Sequence, residues 1–366
     1  MMGRMIIAAL HAICFIITTA IFAVRLRPPR LSVAPIDEGL LPCVDVVIPA
    51  KDERHNIGRL LNSLKRQPGI QLNVFVVDDD SHDGTAEEAS ALGAQVTRLA
   101  GPPPGWTGKN YACHVGAGLG SAPIIVFLDA DTALAPNALL HMIRLQWAHG
   151  GLVSFLPYYK TVSPIETLAL MFNLISYESI RKKPGSCGNS EGAFGPCLIM
   201  SRADYIKAGG HEADPPTVVE DLRLARRLLR RGVPVRCFNG KGLIEYRMYS
   251  SLRGLIEGFS KNLVFGFSSA SMASVILAIV WMSSFLSPFI RLLSSPMGPM
   301  LIAQSAALAL SFFGSLYLFT KLGRVSRLYP LLFFLIGPFF VLVFAISLTR
   351  TLLLKKITWK GRTIRV

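Results

Sequence analysis

Four apolar runs, each about as long as a bilayer crossing, bracket a middle region of ordinary globular character: Met5 to Val24, Met272 to Leu293, Pro299 to Thr320 and Leu328 to Leu348. A hydrocarbon core roughly 30 Å thick takes about 20 apolar residues to cross as a helix. The first run has His11 as its one strongly polar residue. It is longer than the apolar part of a signal peptide, usually about 7 to 15 residues, and no small-x-small cleavage pattern follows it. It therefore reads as an uncleaved anchor. Arg25, Arg27 and Arg30 follow this run and Arg4 stands alone before it, so the excess of positive charge places the middle region in the cytosol of a multi-pass cell-membrane protein. Three later spans would put the C-terminus outside, whereas Arg350, Lys355, Lys356, Lys360, Arg362 and Arg365 favour the cytosolic face. One of the three C-terminal runs is accordingly expected to be re-entrant or interfacial. The implied division is an anchor over 1–27, a globular domain over 40–250, an interfacial segment over 251–270, a helical bundle over 271–350 and a basic tail over 351–366.

The formal net charge of +15 is concentrated in these flanks and in RRLLRRG, Arg226 to Gly232. Anionic lipid headgroups and nucleotide phosphates account for it, and no nucleic acid partner is required. The six cysteines, Cys14, Cys43, Cys113, Cys187, Cys197 and Cys237, show no zinc-like spacing and read as reduced thiols without a catalytic role. Apart from His11 and Gln304 the spans are largely apolar, which leaves a transporter without a polar pathway.

In the middle region, short β-branched runs alternate with amphipathic segments. VDVVIP precedes a polar helix start, LNVFVVDD precedes TAEEASALG, AQVTRL precedes a helix from Lys109, and PIIVFLDAD leads to NALLHMIRLQWAHG. This order predicts an α/β domain whose mostly parallel sheet is buried on both faces, with ligands at the carboxyl ends of the strands. Acidic residues fall at those ends: Asp52 and Glu53, Asp78 to Asp80, and Asp129 with Asp131. GPPPGWTG, Gly101 to Gly108, is a stiff turn. SPIETLALMFNLISYESI is unusually apolar and fits either a core helix or a helix lying against the membrane.

Four segments carry chemistry. In FLDADT, Asp129 and Asp131 stand one residue apart at a strand end and would project to one side of the pleat. Such oxygen ligands suit Mg²⁺ or Mn²⁺, which would bridge a nucleotide-sugar diphosphate, although the isolated pattern equally fits solvated turn carboxylates. VVDDDSHDGT ends a buried strand in carboxylates able to accept from a base imide or ribose hydroxyls, while Asp83 and Thr85 read as turn and cap residues. Lys109 in GWTGKNYA starts a helix behind glycine, where a cation and free N–H groups can face phosphate or solvent alike. In TVVEDLRLARRLLRRG, Glu220 and Asp221 start a helix; they either complement its dipole or supply, through Asp221, a general base for an attacking hydroxyl.

VDVVIPAKDE, VVDDDSHDGT, PGWTGKNYA, FLDADT and GGHEADPPTVVEDLRLA, in this order, resemble family 2 glycosyltransferases of the GT-A fold over about Val44 to Tyr249. Within that family, the PGWTGK turn, YRMY (Tyr246 to Tyr249) and the arrangement of spans are most similar to enzymes that glycosylate carotenoids or other polyprenyl-type lipids. The resemblance implies a nucleotide pocket lined by Ala50, Asp52, Glu53, Asp78 and Asp79, with Lys109 near uracil or phosphate, Asp129 near ribose and diphosphate, and metal on Asp131 with Asp129. It implies Asp221 as catalytic base and places Gly192, Phe194 and Gly195, in GNSEGAFGPCLIM, beside the acceptor. Asp52 departs from the asparagine of many relatives, and the Q-x-x-R-W signature of processive synthases is absent. WKGR, Trp359 to Arg362, reads as an interfacial anchor. The resulting expectation is inverting transfer of one sugar, glucose from UDP-glucose, to a membrane lipid such as a carotenoid carboxylate or hydroxyl. The rivals are polyprenyl phosphate, hopanoid or glycerolipid acceptors, and an inactive nucleotide-binding membrane protein, which the intact acidic set disfavours.

Overall fold

The computed structural model describes residues 2–29, 43–180, 190–217, 219–292, 298–350, 356–359 and 362–365. Helix α1 (Met2–Arg25) opens the chain and belongs to a helical unit made of Met1–Arg27, Tyr159–Arg181 and Tyr249–Val366. An α/β unit is made of Pro28–Tyr158 and Lys182–Met248.

In the α/β unit the β-branched runs become β1 (Val44–Ala50), β2 (Leu72–Asp79), β3 (Gln95–Leu99) and β4 (Ile124–Leu128). The intervening segments fold as α2 (Arg54–Leu64), α3 (Thr85–Ala91) and α4 (Gly108–Gly118). Strand β1 lies parallel to both β2 and β4, and β2 lies parallel to β3, as the alternation predicts. The chain continues through β5 (Thr132–Leu134), α5 (Ala138–His149), β6 (Leu152–Leu156) and the two-residue strand β7 (Tyr158–Tyr159). In the full seven-stranded order, β3-β2-β1-β4-β8-β6-β9, strand β8 (Cys197–Ser201) is antiparallel to β4 and β6, while β9 (Val235–Asn239) is parallel to β6. Every residue of β4 and β6 is buried, which agrees with a sheet covered on both faces.

Reversal of one strand brings Arg202, the residue after β8, to the amino end of the parallel strands, where Ile124 of β4 pairs with Ser201. There Asp45 is fully buried and accepts from Asn73 Nδ2 and the Ala122 amide, both at 2.8 Å, and from Arg202 Nη2 at 2.6 Å. The same guanidinium donates to Ala122 O and Ala117 O at 2.8 Å. A buried carboxylate without such partners would face the full cost of its lost hydration. The close fit leaves no space at Gly120, where a Cβ would stand 2.2 Å from Asp45 Oδ2.

The helical unit adds α6 (Ala169–Ser179), preceded by a 3₁₀ turn over Pro164–Leu168, then α9 (Leu252–Ser269), α10 (Met272–Leu292), α11 (Pro299–Leu322) and α12 (Tyr329–Thr349). The α/β unit meanwhile contributes α7 (Arg202–Lys207), α8 (Glu220–Arg230) and β10 (Ile244–Tyr246), the last antiparallel to β5. The two-stranded hairpin β11 (Lys356–Trp359) and β12 (Arg362–Arg365) closes the chain; the rest of the basic tail, Lys355 and Lys360 included, lies outside the described residues, as does Arg30.

Helices α10, α11 and α12 are each continuous, not split into re-entrant halves, and with α1 they make four helices long and apolar enough to cross a membrane. Their outer faces keep large apolar side chains exposed, among them Ile17, Ile302, Phe313 and Leu331, as lipid contact would favour. Inside, Trp281 stacks between Phe15 and Phe285 and donates Nε1–H to Thr19 at 3.0 Å. A Cβ at Gly314 would meet Phe15 at 2.5 Å, so a small residue permits the close crossing of α1 and α11. The apolar segment left open by the sequence forms α6 and is buried along nearly its whole length within this unit, with Phe172 stacked on Phe259 at 4.3 Å. Glu178 of α6 pairs with Arg25 of α1 and accepts from Ser274 of α10 at 3.0 Å.

Replacing Arg202 with methionine strands the Asp45 carboxylate. Loss of one partner of such a pair typically costs about 3 to 5 kcal/mol. Denaturant unfolding of the Arg202→Met variant should show a loss of that size, and a loss under about 1 kcal/mol would mean that the pair does not organise the sheet.

Candidate active site

The carboxyl ends of β1, β2 and β4 lie side by side, with Ala50 in register with Asp78. Two loops at this edge are tied to each other by side-chain to backbone bonds. The Asp52 amide donates to Ser81 Oγ at 2.9 Å, and the His82 amide returns a bond to Asp52 Oδ1 at 3.0 Å. The Glu53 amide donates to Thr85 Oγ1 at 2.8 Å, and the Arg54 amide to Asp83 Oδ2 at 2.9 Å. Asp83 also accepts the Thr85 amide at 3.0 Å, which fits its reading as a turn residue. Asp52 and Asp80 have φ of 51° and 60°, a left-handed conformation that aspartate tolerates better than most residues. Lys51 Nζ donates to the carbonyls of Asp79 and Asp80 at 2.9 Å each. Within this frame Ala50, Asp78 and Asp79 are buried, and Glu53 Oε2 accepts from Asn56 at 2.7 Å. Asp78 Oδ1 has no hydrogen-bond partner among the described residues.

The D-x-D residues differ from expectation in one respect. Asp129 follows β4 and Asp131 precedes β5, and the Thr132 amide and hydroxyl donate to Asp129 O at 3.1 and 2.7 Å. The carboxylates are therefore presented by a turn and not by one face of a pleated strand, because that carbonyl bends the chain. Arg59 and the Arg247 amide hold the Asp131 carbonyl.

Lys109 draws this turn to a second part of the unit. Its Nζ lies 2.8 Å from Asp129 Oδ1 and 3.0 Å from Glu220 Oε1. Burial disfavours the ammonium, but Asp129 and Glu220 outweigh it and hold the Lys109 pKa well above its ordinary value. The start of α4 is anchored to the loop leading into α8: Asn110 Nδ2 donates to the carbonyls of His211, Asp214 and Pro215, and Thr107 Oγ1 to Thr217 O at 2.8 Å. His211 is buried beside Tyr205, which bonds its Nδ1 at 2.8 Å; burial pushes its pKa down to about 3, so it is neutral. Burial pushes the Cys113 thiol well up, which removes it as a nucleophile. Cys14, Cys43, Cys113, Cys197 and Cys237 are free thiols; Cys187 lies outside the described residues.

Asp221 sits one residue into α8 with both oxygens on backbone amides, Oδ2 on Gly195 at 2.7 Å and Oδ1 on Leu222 at 2.8 Å. Its pKa is raised to about 6, by burial first and by Glu220 next, against the pull of Lys109 and the two amides. Of the three loop residues expected beside the acceptor, Gly195 thus touches Asp221. Phe194 is held in the chain by Ser154, whose Oγ accepts the Phe194 amide at 2.7 Å, and Gly192 O accepts from Ser190 Oγ at 2.7 Å. Gly188 and Asn189 lie outside the described residues. Glu220, Asn110 and Ser154 were not among the expected site residues. The adjacency of Glu220 to Asp221 was the one available signal, and helix-dipole complementarity explained it equally well.

Against known proteins, the model of "Glycosyl transferase family 2" matches residues 45–207. A 4,4'-diaponeurosporenoate glycosyltransferase of Staphylococcus haemolyticus is 33% identical over 88% of this chain and 88% of its own length. The chain belongs to glycosyltransferase family 2. Enzymes of the same description in Staphylococcus aureus are 29% identical over 87% of each chain. Among solved structures, a mannosyltransferase from Pyrobaculum calidifontis in complex with GDP-Man and Mn²⁺ superposes with a TM-score of 0.53 at 16% identity, covering 94% of this chain and 98% of that one. It shows the GT-A fold. For this glycosyltransferase, Asp129 and Asp131 are hard oxygen donors suited to a divalent cation. Among the described residues no three His, Cys, Asp or Glu side chains converge on one point, so a cation would complete its shell with diphosphate and water, as Mg²⁺ commonly does.

A Cβ at Gly195 would stand 3.0 Å from Asp221 Oδ2 and 3.1 Å from Lys109 Nζ. Gly195→Ala should therefore displace the Asp221 carboxylate; if that group is catalytic, a misplacement near 1 Å lowers turnover about 10²-fold. Glycosyl-transfer kinetics alongside a melting curve test this, and wild-type turnover in a normally folded variant would contradict it.

Proposed function

We propose that this chain is an inverting hexosyltransferase that moves one glucose from UDP-glucose to a membrane lipid, with the carboxylate or hydroxyl of a carotenoid as acceptor. The observation that carries the reading is the Asp221 carboxylate, fixed by two backbone amides beside the Lys109 bridge to Asp129. The relatives named for diaponeurosporenoate glycosylation support the acceptor class. Four apolar helices keep the enzyme where such a lipid resides, and Arg25 and Arg27 after α1 support a cytosolic catalytic domain over 40–250.

In this reading Asp78 and Asp79 receive the base imide, and the partnerless Asp78 Oδ1 is an acceptor that a nucleobase N–H can satisfy. Ala50, Asp52 and Glu53 border the same pocket from β1. Lys109 offers its ammonium to the diphosphate. Asp131, with Asp129, would hold Mg²⁺ or Mn²⁺, which when bound neutralises charge on the departing diphosphate; the Mn²⁺ in the mannosyltransferase complex supports this. Gly192, Phe194 and Gly195 flank the acceptor. The acceptor oxygen attacks the anomeric carbon from the side opposite the diphosphate. If it is a hydroxyl, its proton passes to Asp221. A carboxylate acceptor is already ionised and has no proton to give.

Transfer to a hydroxyl lipid should consequently fall about tenfold per pH unit below about 6, the region in which Asp221 protonates and stops acting as a base. A carboxylate acceptor should keep its rate down to the lower range in which carboxylic acids titrate, about pH 4 to 5. Asp221→Asn should lower hydroxyl transfer about 10² to 10⁴-fold and carboxylate transfer much less. Rate profiles on the two acceptor types decide the matter: equal losses contradict the base assignment. Asp131→Asn should abolish metal-stimulated transfer, and wild-type activity with excess chelator would defeat the metal assignment.

A further inference from the structure

The arginines of the α/β unit differ in whether they find an oxygen acceptor; Arg66 and the Arg144 Nε, away from α8, have none among the described residues, and the one cluster without acceptors lies on α8. Arg54, Arg59, Arg98, Arg202, Arg227 and Arg236 each donate to a side-chain or backbone oxygen. Arg223, Arg226, Arg230 and Arg231 have no oxygen acceptor within ion-pair or hydrogen-bond reach among the described residues, and all four lie on α8 or at its end. Spacings of three and four residues put Arg223, Arg226 and Arg230 on one stripe. The opposite face, with Leu224, Ala225 and Leu228, is buried. Arg227, within the same arc, is drawn off to Asp214 and to the carbonyls of Ala208 and Gly210.

Like charges at these spacings repel. The effect reaches Arg226, whose pKa is lowered by its partial burial and then by Arg223 and Arg230, with Glu191 alone opposing. Within its own unit the stripe is offset only by Glu191, whereas the same chain carries four helices long and apolar enough to cross a bilayer. We propose that the Arg223, Arg226 and Arg230 stripe is a membrane-docking surface that binds the anionic headgroups of the bilayer in which those helices sit. Guanidinium forks pair with phosphodiester oxygens in two-point fashion, which suits arginine over lysine at such a site. Helix α8 also carries Asp221 in its first turn, so headgroup contact along the stripe would set the base at a defined depth relative to a lipid acceptor. This last consequence rests on the functional reading above; the docking itself rests on membrane residence alone.

The test places a photo-crosslinking benzoylphenylalanine at Arg230 in the full chain, reconstituted into nanodiscs of phosphatidylcholine with or without phosphatidylglycerol. Mass spectrometry reads the lipid adducts. Phosphatidylglycerol adducts should be enriched at least about fivefold over their share of the bilayer, the factor that one basic residue near a charged surface contributes. High salt should remove the enrichment, because screening confines the attraction to within about 8 Å even at physiological ionic strength. Arg223→Gln combined with Arg226→Gln should abolish it while the melting temperature and UDP binding stay at wild-type values. Adducts in proportion to bilayer composition, or none, overturn the proposal. Loss of UDP binding in the paired variant overturns it too, by assigning the stripe to the donor. A chain that does not enter nanodiscs at all would defeat membrane residence and the docking surface together, while leaving the base chemistry of Asp221 to its own assay.

Discussion

One ammonium group organises the candidate site. Lys109 stands between Asp129, at the end of a parallel strand, and Glu220, at the start of a helix that arrives nearly a hundred residues later in the chain. Without it, carboxylates from two remote segments would face each other in a partly buried setting, where like charges repel far more strongly than in water. Its placement depends on capping groups used in an unusual direction. Thr107 and Asn110, at the start of α4, spend their side chains on the carbonyls of the loop before α8 and not on their own helix. The glycine-flanked turn and the acidic pair, far apart in sequence, are in effect one structure.

A second ion pair works at the other end of the sheet. Asp45 and Arg202 join the parallel strands to the single reversed strand, and their remaining hydrogen-bonding capacity is taken up by Asn73, Ala122 and Ala117. The two ends have opposite characters. At the amino end the buried charge is neutralised and fully bonded, which confers rigidity. At the carboxyl end carboxylates outnumber the cations near them, leaving a surplus of negative charge that favours cations over anions.

The parallel half of the fold was legible in the sequence because its signal is local: β-branched runs, helix periodicity and turn residues lie within a dozen positions of one another. The antiparallel placement of β8 was not, since CLIMS reads as a buried strand whichever way it runs. Asp129, Asp131, Lys109 and Asp221 could be named from residue type and the family resemblance. What residue type could not supply was which of them meet. The Gly195 amide on Asp221 is a backbone donor and leaves no mark in composition, and Glu220 looked like half of an ordinary helix-start pair. The assignment of α6 to the helical unit was equally hidden, because an apolar segment of that length packs as well in a protein core as beside a membrane.

The bond from Gly195 to Asp221 has an implication for how such a site can diversify. A side-chain donor is lost when its residue changes, but a main-chain amide persists through any replacement that preserves the backbone path. The restriction at this position is one of bulk and not of chemistry. On the proposed reading, acceptor recognition can therefore drift by ordinary substitution around a proton-accepting Asp221 that stays in place, so that one frame can serve lipids of differing head and tail.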